Sequence, residues 1–96
     1  MDTDLRASVL RRARWCCEVR LDGCTMTSRV GVHHRKPRAR GGLDTFENLV
    51  AVCDHCHTGS PRSIHRAPAE ATALGLLVPS WEPTPTTIWV RDAPRR

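Results

Sequence analysis

Cys17, Cys24, Cys53 and Cys56 form two short-spaced pairs, Cys17-x6-Cys24 and Cys53-x2-Cys56, and among them stand His33, His34, Asn48 and His57. Four thiolates are the soft donor set that closes a tetrahedral zinc site, and two such pairs a few tens of residues apart can share one ion. Metal-binding free energy then becomes folding free energy. The chain has five cysteines, so one of the adjacent Cys16 and Cys17 is spare; the pair with Cys24 is assigned to Cys17. The histidines and Asn48 fall outside that accounting. Adjacent strand residues point to opposite faces, so His33 and His34 should do different jobs, one binding a metal and the other reaching a water. His57 directly follows a zinc cysteine, which would fix its position. Asn48 stands just before an apolar strand and can hydrogen-bond the loop that aims a base. An activated water and a cation that stabilises charge on phosphate are what phosphodiester hydrolysis requires, and this set can supply both.

A competing reading of Cys53-Asp54-His55-Cys56-His57 is the C-x2-C-H attachment pattern of a covalent c-type haem. It requires an exported chain and leaves Cys17, Cys24, His34 and Asn48 without a role, so it is set aside. His55, between two zinc cysteines, is expected to face solvent or to support the site indirectly.

Several short elements must position these groups. Leu5, Val9 and Ala13 recur every four residues among arginines, which predicts an amphipathic helix over roughly residues 3–15. Residues 16–27, with the Asp22-Gly23 turn signal, suit a knuckle around Cys17 and Cys24. Val30 and Val32 alternate in a short strand over 29–34, and 49–52 is a second, apolar strand delivering Cys53. Between them, Arg35, Lys36, Arg38 and Arg40 place four cations within six residues of a Pro- and Gly-containing loop. Contacts of that kind hold a phosphate backbone without sequence preference. Ser60 can cap a helix with Pro61 at its first position, carrying Ser63, Ile64 and His65 and limited by Pro68. A further helix is expected over 69–76, ending near Gly75. The Pro- and Thr-rich tail, 79–96, is expected over the surface, with a small strand at 88–90.

Size and charge bound the rest. Ninety-six residues suffice for one domain (1–96, with its motif core over about 16–66), and only four are aromatic, so a structural metal would compensate for a thin core. The net charge of +5 suits a polyanionic partner such as DNA. No stretch is long enough to span a membrane, and the charged Met1–Arg6 segment has nothing of a signal peptide. A cytoplasmic setting is therefore expected, in which paired cysteines read as metal ligands before disulfides.

With these pieces in place, Cys17 to His57 resembles the HNH endonuclease family, in its bacteriophage and prophage form. The resemblance rests on Cys17-x6-Cys24, on Val32-His33-His34-Arg35-Lys36-Pro37-Arg38-Ala39-Arg40-Gly41-Gly42, on Glu47-Asn48-Leu49 and on Cys53-x2-Cys56-His57. It implies an α+β fold, a small zinc-stabilised ββα-metal (His-Me finger) domain with flanking helices. It implies His34 as the base that deprotonates water, His33 and His57 as ligands of a divalent catalytic ion (Mg2+, Mn2+, Ni2+ or Zn2+), and Asn48 as the residue orienting His34 and its loop. Similar chains carry a further histidine one helical turn after the last motif histidine; Pro61 occupies that position here, and His65 is the displaced counterpart. The implied activity is metal-dependent cleavage of DNA in a bacterial host cell, by a monomer that nicks or by a weak dimer that breaks both strands. Two rivals share the same cysteines and basic loop: a zinc-stabilised DNA-binding module without activity, and a packaging accessory acting with a terminase.

Overall fold

A computed structural model describes residues 1–27 and 29–92 of the chain; the last residues of the tail, 93–96, lie outside the described residues. Helix α1 (Thr3–Arg12) opens on Asp2, whose carboxylate accepts the Leu5 N–H at 2.9 Å, with Asp4 in the first turn and Arg11 and Arg12 in the last. Both arrangements favour the helix dipole. α1 stops short of residue 15 because Arg14 and Trp15 take positive φ angles and fold their N–H groups back onto the carbonyls of Arg11 and Leu10. This is a Schellman closure with arginine where glycine is usual.

Strands β1 (Gly31–His34) and β2 (Leu49–Val52) pair antiparallel, with His33 opposite Val50 and His34 opposite Leu49. The period-two alternation splits the buried residues into two groups. Leu49 and Ala51 pack under Val9 and Leu10 of α1, with Val30, Val32 and Phe46 around them. Val50 and Val52 face the other way, into Cys17, Val19, Cys53, Cys56, Ile64, Leu76 and Trp89. Arg12 ties α1 to this frame: its guanidinium donates to both oxygens of Glu18 (3.0 and 2.7 Å) and to the carbonyls of Phe46 and Leu49.

One π-helical turn, His55–Gly59, follows β2. The helix expected from Pro61 does not form. Ile64 and His65 instead donate their N–H groups back to the carbonyls of Cys56 and His57, so the segment folds against the π turn. Helix α2 (Pro68–Ala73) is shorter than expected, and Gly75 at φ +77° turns the chain just beyond it. The tail contributes no strand at 88–90. It buries Trp89, whose indole N–H donates to the Leu74 carbonyl at 2.7 Å. The result is a small α+β fold with a two-stranded antiparallel sheet, and it fits a ββα-metal arrangement. Among the described residues no helix is long and apolar enough to cross a membrane.

Candidate metal centres and active site

Cys17, Cys24, Cys53 and Cys56 converge so that their sulfur atoms all lie within 4.8 Å of one another. Cys24 Sγ and Cys53 Sγ are 3.7 Å apart. Four sulfurs at about 2.3 Å around a tetrahedral ion would be about 3.8 Å apart, so the donor set fits zinc in spacing as well as in chemistry. The first knuckle aims backbone N–H groups at its sulfurs, from Arg20 to Cys17 at 3.5 Å and from Met26 to Cys24 at 3.3 Å. Burial pushes the Cys24 and Cys56 thiols up. At Cys53 burial acts the same way but is outweighed by hydrogen bonds from Thr25 and Cys56, which bring it down to about 6. A cation is what lets such a group ionise together. Cys16 is outside the cluster and its thiol turns to the Arg14 carbonyl. His55 joins the two knuckles: its Nε2 donates to the Asp22 carbonyl at 3.1 Å, and a Cβ on Gly23 would stand 2.6 Å from that nitrogen.

A second cluster consists of His33, His57 and His65, again with one ligand atom from each within 4.8 Å of the others. His57 Nε2 and His65 Nε2 are 3.0 Å apart. Two nitrogens bound at about 2.0–2.1 Å to one cation would stand about 3.0–3.4 Å apart. The turned-back segment after the π turn is what brings His65 here, eight residues beyond His57. His33 is buried, and its Nε2 lies 2.8 Å from the Leu76 carbonyl. A carbonyl only accepts, so Nε2 carries the proton and Nδ1 keeps its lone pair for a metal. A ring N–H held by a backbone carbonyl is the usual support of a metal-binding histidine. Burial, with His57 and His65 adding to it, lowers His33 to about 4 against the opposing Leu76 bond. Burial and His65 lower His57 as well. Both shifts favour the neutral ring, the form that ligates.

His34 takes the other direction, as its place beside His33 on β1 requires. Its Nε2 lies 2.7 Å from Asp44 Oδ1, and Asp44 also receives Arg38 through Nε at 3.1 Å and Nη2 at 2.7 Å. The Arg38 guanidinium, with His34 second, holds the Asp44 carboxyl well below the usual range.

Asn48 is fully buried at the end of the intervening loop. Its Oδ1 accepts the Lys36 N–H at 2.8 Å, and its Nδ2 donates to the carbonyls of Lys36 at 3.1 Å and Leu43 at 2.9 Å. It therefore closes the loop 36–48 on itself. Gly41 at φ +87° and Gly42 complete the closure: a Cβ on Gly42 would run into the Lys36 carbonyl. The glycine pair is a close-approach device.

The basic loop departs from the sequence expectation at two of its four cations. Arg35 and Lys36 are buried and face inward, so they are not placed to contact phosphates. Arg35 donates to the carbonyls of Gly75 (2.9 Å), Glu47 (3.1 Å) and Thr87 (2.8 Å), and Lys36 Nζ donates to that of Glu82 (2.7 Å). The tail expected over the surface supplies two of these carbonyls, those of Glu82 and Thr87. Arg38 and Arg40 are exposed, though Arg38 is engaged with Asp44 and Arg40 Nη1 reaches the Val78 carbonyl at 3.3 Å. Two partners of the site were not anticipated from sequence: the Leu76 carbonyl behind His33, and Asp44 behind His34.

Residues 17–60 match the family model described as HNH endonuclease. The matched segment runs from Cys17 through β1, the basic loop, β2 and the π turn, so the likeness to a nuclease domain covers both ligand clusters except His65. No curated protein and no solved structure matches the chain.

Proposed function

We propose that this protein is a metal-dependent DNA endonuclease of the HNH type, encoded by a phage or prophage and stabilised by a structural zinc on Cys17, Cys24, Cys53 and Cys56. The observation that carries the proposal is the His33–His57–His65 cluster beside His34. Three converging imidazoles form a ligand set, and the fourth, turned away on the same strand, is left for acid–base work. A bound divalent ion would supply the positive charge that stabilises a phosphate in its transition state. Three nitrogen ligands favour a transition ion such as Zn2+ or Ni2+, with Mn2+ next and Mg2+ last. His34 takes a proton from water as the water oxygen bonds to phosphorus. The bond from phosphorus to the 3′ oxygen breaks and that oxygen takes a proton from solvent, leaving a 3′ hydroxyl and a 5′ phosphate. Arg38 and Arg40 contact the backbone on either side. One such site cuts one strand, so the monomer nicks, and double-strand breaks require two copies or two visits.

The experiment is nicking of supercoiled plasmid with and without added divalent metal, comparing wild type with His34→Ala at matched zinc content. Metal-dependent nicking that the variant loses is the expected result. Wild-type protein that binds DNA yet leaves the plasmid supercoiled in every metal would overturn the proposal.

A further inference from the structure

We propose that Asp44 is the positioning residue of the base, fixing the ring orientation and tautomer of His34 so that Nε2 carries the proton and Nδ1 presents its lone pair to water. This rests on His34 being the base. The geometry is direct: Asp44 Oδ1 stands 2.7 Å from His34 Nε2, and a carboxylate accepts only, so the proton between them belongs to the imidazole. The carboxylate is itself held. Arg38 grips both its oxygens at 3.1 and 2.7 Å, and the Met1 amine lies 3.2 Å from Oδ2. Asp44 sits in the loop that Asn48 and the glycine pair close, next to Leu43, whose carbonyl Asn48 binds at 2.9 Å. A chain of support thus runs from buried Asn48 through the loop to Asp44 and on to the imidazole. Because Arg38 and His34 keep the Asp44 carboxyl below its usual range, it remains an acceptor at any working pH.

Two consequences follow for the reaction. When Nδ1 accepts the proton from water, the ring becomes an imidazolium with both nitrogens protonated, and Asp44 faces the new positive charge. Second, Arg38 is shared between Asp44 and the outer surface, so the group that braces the base borders the path of the DNA backbone.

The test compares Asp44→Ala and Asp44→Asn with wild type and His34→Ala in plasmid nicking, at matched zinc content. It adds the ring 15N shifts of the histidine whose signals vanish in His34→Ala. Asp44 is exposed, so neither variant should disturb folding. We expect Asp44→Ala to lower kcat about 10- to 100-fold with KM for DNA within about twofold of wild type. Asp44→Asn should fall at least as far. Its amide can donate to Nε2 and drive the ring proton to Nδ1, the tautomer that cannot accept from water; the same isostere is damaging in the serine protease triad. The 15N shifts should move from an Nε2–H pattern toward the other tautomer. If Asp44 merely cross-linked the loop to Arg38, Asn would still accept from Arg38 and behave like wild type. Asp44→Asn within about twofold of wild type, with unchanged ring shifts, overturns this proposal while His34→Ala inactivity leaves the base in place. Full activity in His34→Ala removes the base reading, and this proposal with it, by a separate result.

Discussion

Arg35 is the sharpest case in which burial overrules what a charge suggests. Its three hydrogen bonds to the carbonyls of Gly75, Glu47 and Thr87 join β1 to the turn after α2, to the base of the loop and to the tail. Bonds from a charged donor contribute about 1.5–3 kcal/mol each, and truncating the donor leaves acceptors that water reaches only in part. Arg35→Ala should therefore cost about 3–5 kcal/mol, a large share of the roughly 5–15 kcal/mol that holds a small domain together. Arg35→Lys should recover only part of it, because one ammonium cannot span acceptors that a planar guanidinium fork reaches together. Urea unfolding followed by far-UV circular dichroism reads this directly. Arg38→Ala and Arg40→Ala provide the contrast: each should stay within about 0.5 kcal/mol of wild type in stability, while lowering the slope of log affinity for DNA against log salt by about 0.9. If Arg35→Ala instead unfolds at the wild-type midpoint and loses about 0.9 of that slope, Arg35 is a phosphate contact and the structural reading is wrong.

Three further perturbations address the loop and the metal. Asn48→Asp keeps the acceptor for the Lys36 N–H but sets a carboxylate against the carbonyls of Lys36 and Leu43; a loss of about 2–4 kcal/mol in urea unfolding is expected, and a change below about 1 kcal/mol would show that the amide donors are dispensable. Gly42→Ala has no room beside the Lys36 carbonyl, so the loop should open and nicking fall more than tenfold while zinc content is unchanged; wild-type activity would mean that the loop closure does not matter. Chelation of the four-cysteine site should unfold the core reversibly, since structural zinc contributes about 10–16 kcal/mol in small zinc-bound peptides, whereas Cys16→Ser should retain full zinc in metal analysis. Native near-UV circular dichroism after complete zinc removal would refute the first half, and a lost zinc in Cys16→Ser the second.

What could be read from the sequence was what spacing alone determines. The cysteine pairs, the two strands and the placing of His33 and His34 on opposite sides follow from period and ligand count, which are local. What escaped was set by distant backbone. Arg35 and Arg38 look alike in a string of basic residues, and only the carbonyls of Gly75 and Thr87, roughly forty and fifty residues away, decide that one turns inward. The helix expected from Pro61 had sound caps, but Ile64 and His65 found acceptors on Cys56 and His57 that no helical rule would supply. Leu76 contributes to the histidine cluster through its carbonyl, and a carbonyl has no signature in the side-chain alphabet.

The same nonlocal bonds explain how two clusters of candidate metal ligands fit in so thin a core. Cys56 and His57 are consecutive in the π turn, so one short segment gives a ligand to each cluster, and the segment bound back to it brings His65. The sulfur cluster sits among Val50, Val52, Ile64 and Trp89, on the side of the sheet that also carries His33. Closing the cysteines therefore fixes β2 and the π turn, and β2 fixes His33 through its register opposite Val50. Where a larger protein would hold three histidines with packed side chains, this chain sets them beside a four-sulfur cluster on shared backbone, so a cation bound by the cysteines would also brace the histidines. His34 needs a different support because it faces the α1 side, away from the sulfur cluster, and the loop closed by Asn48 supplies it through Asp44.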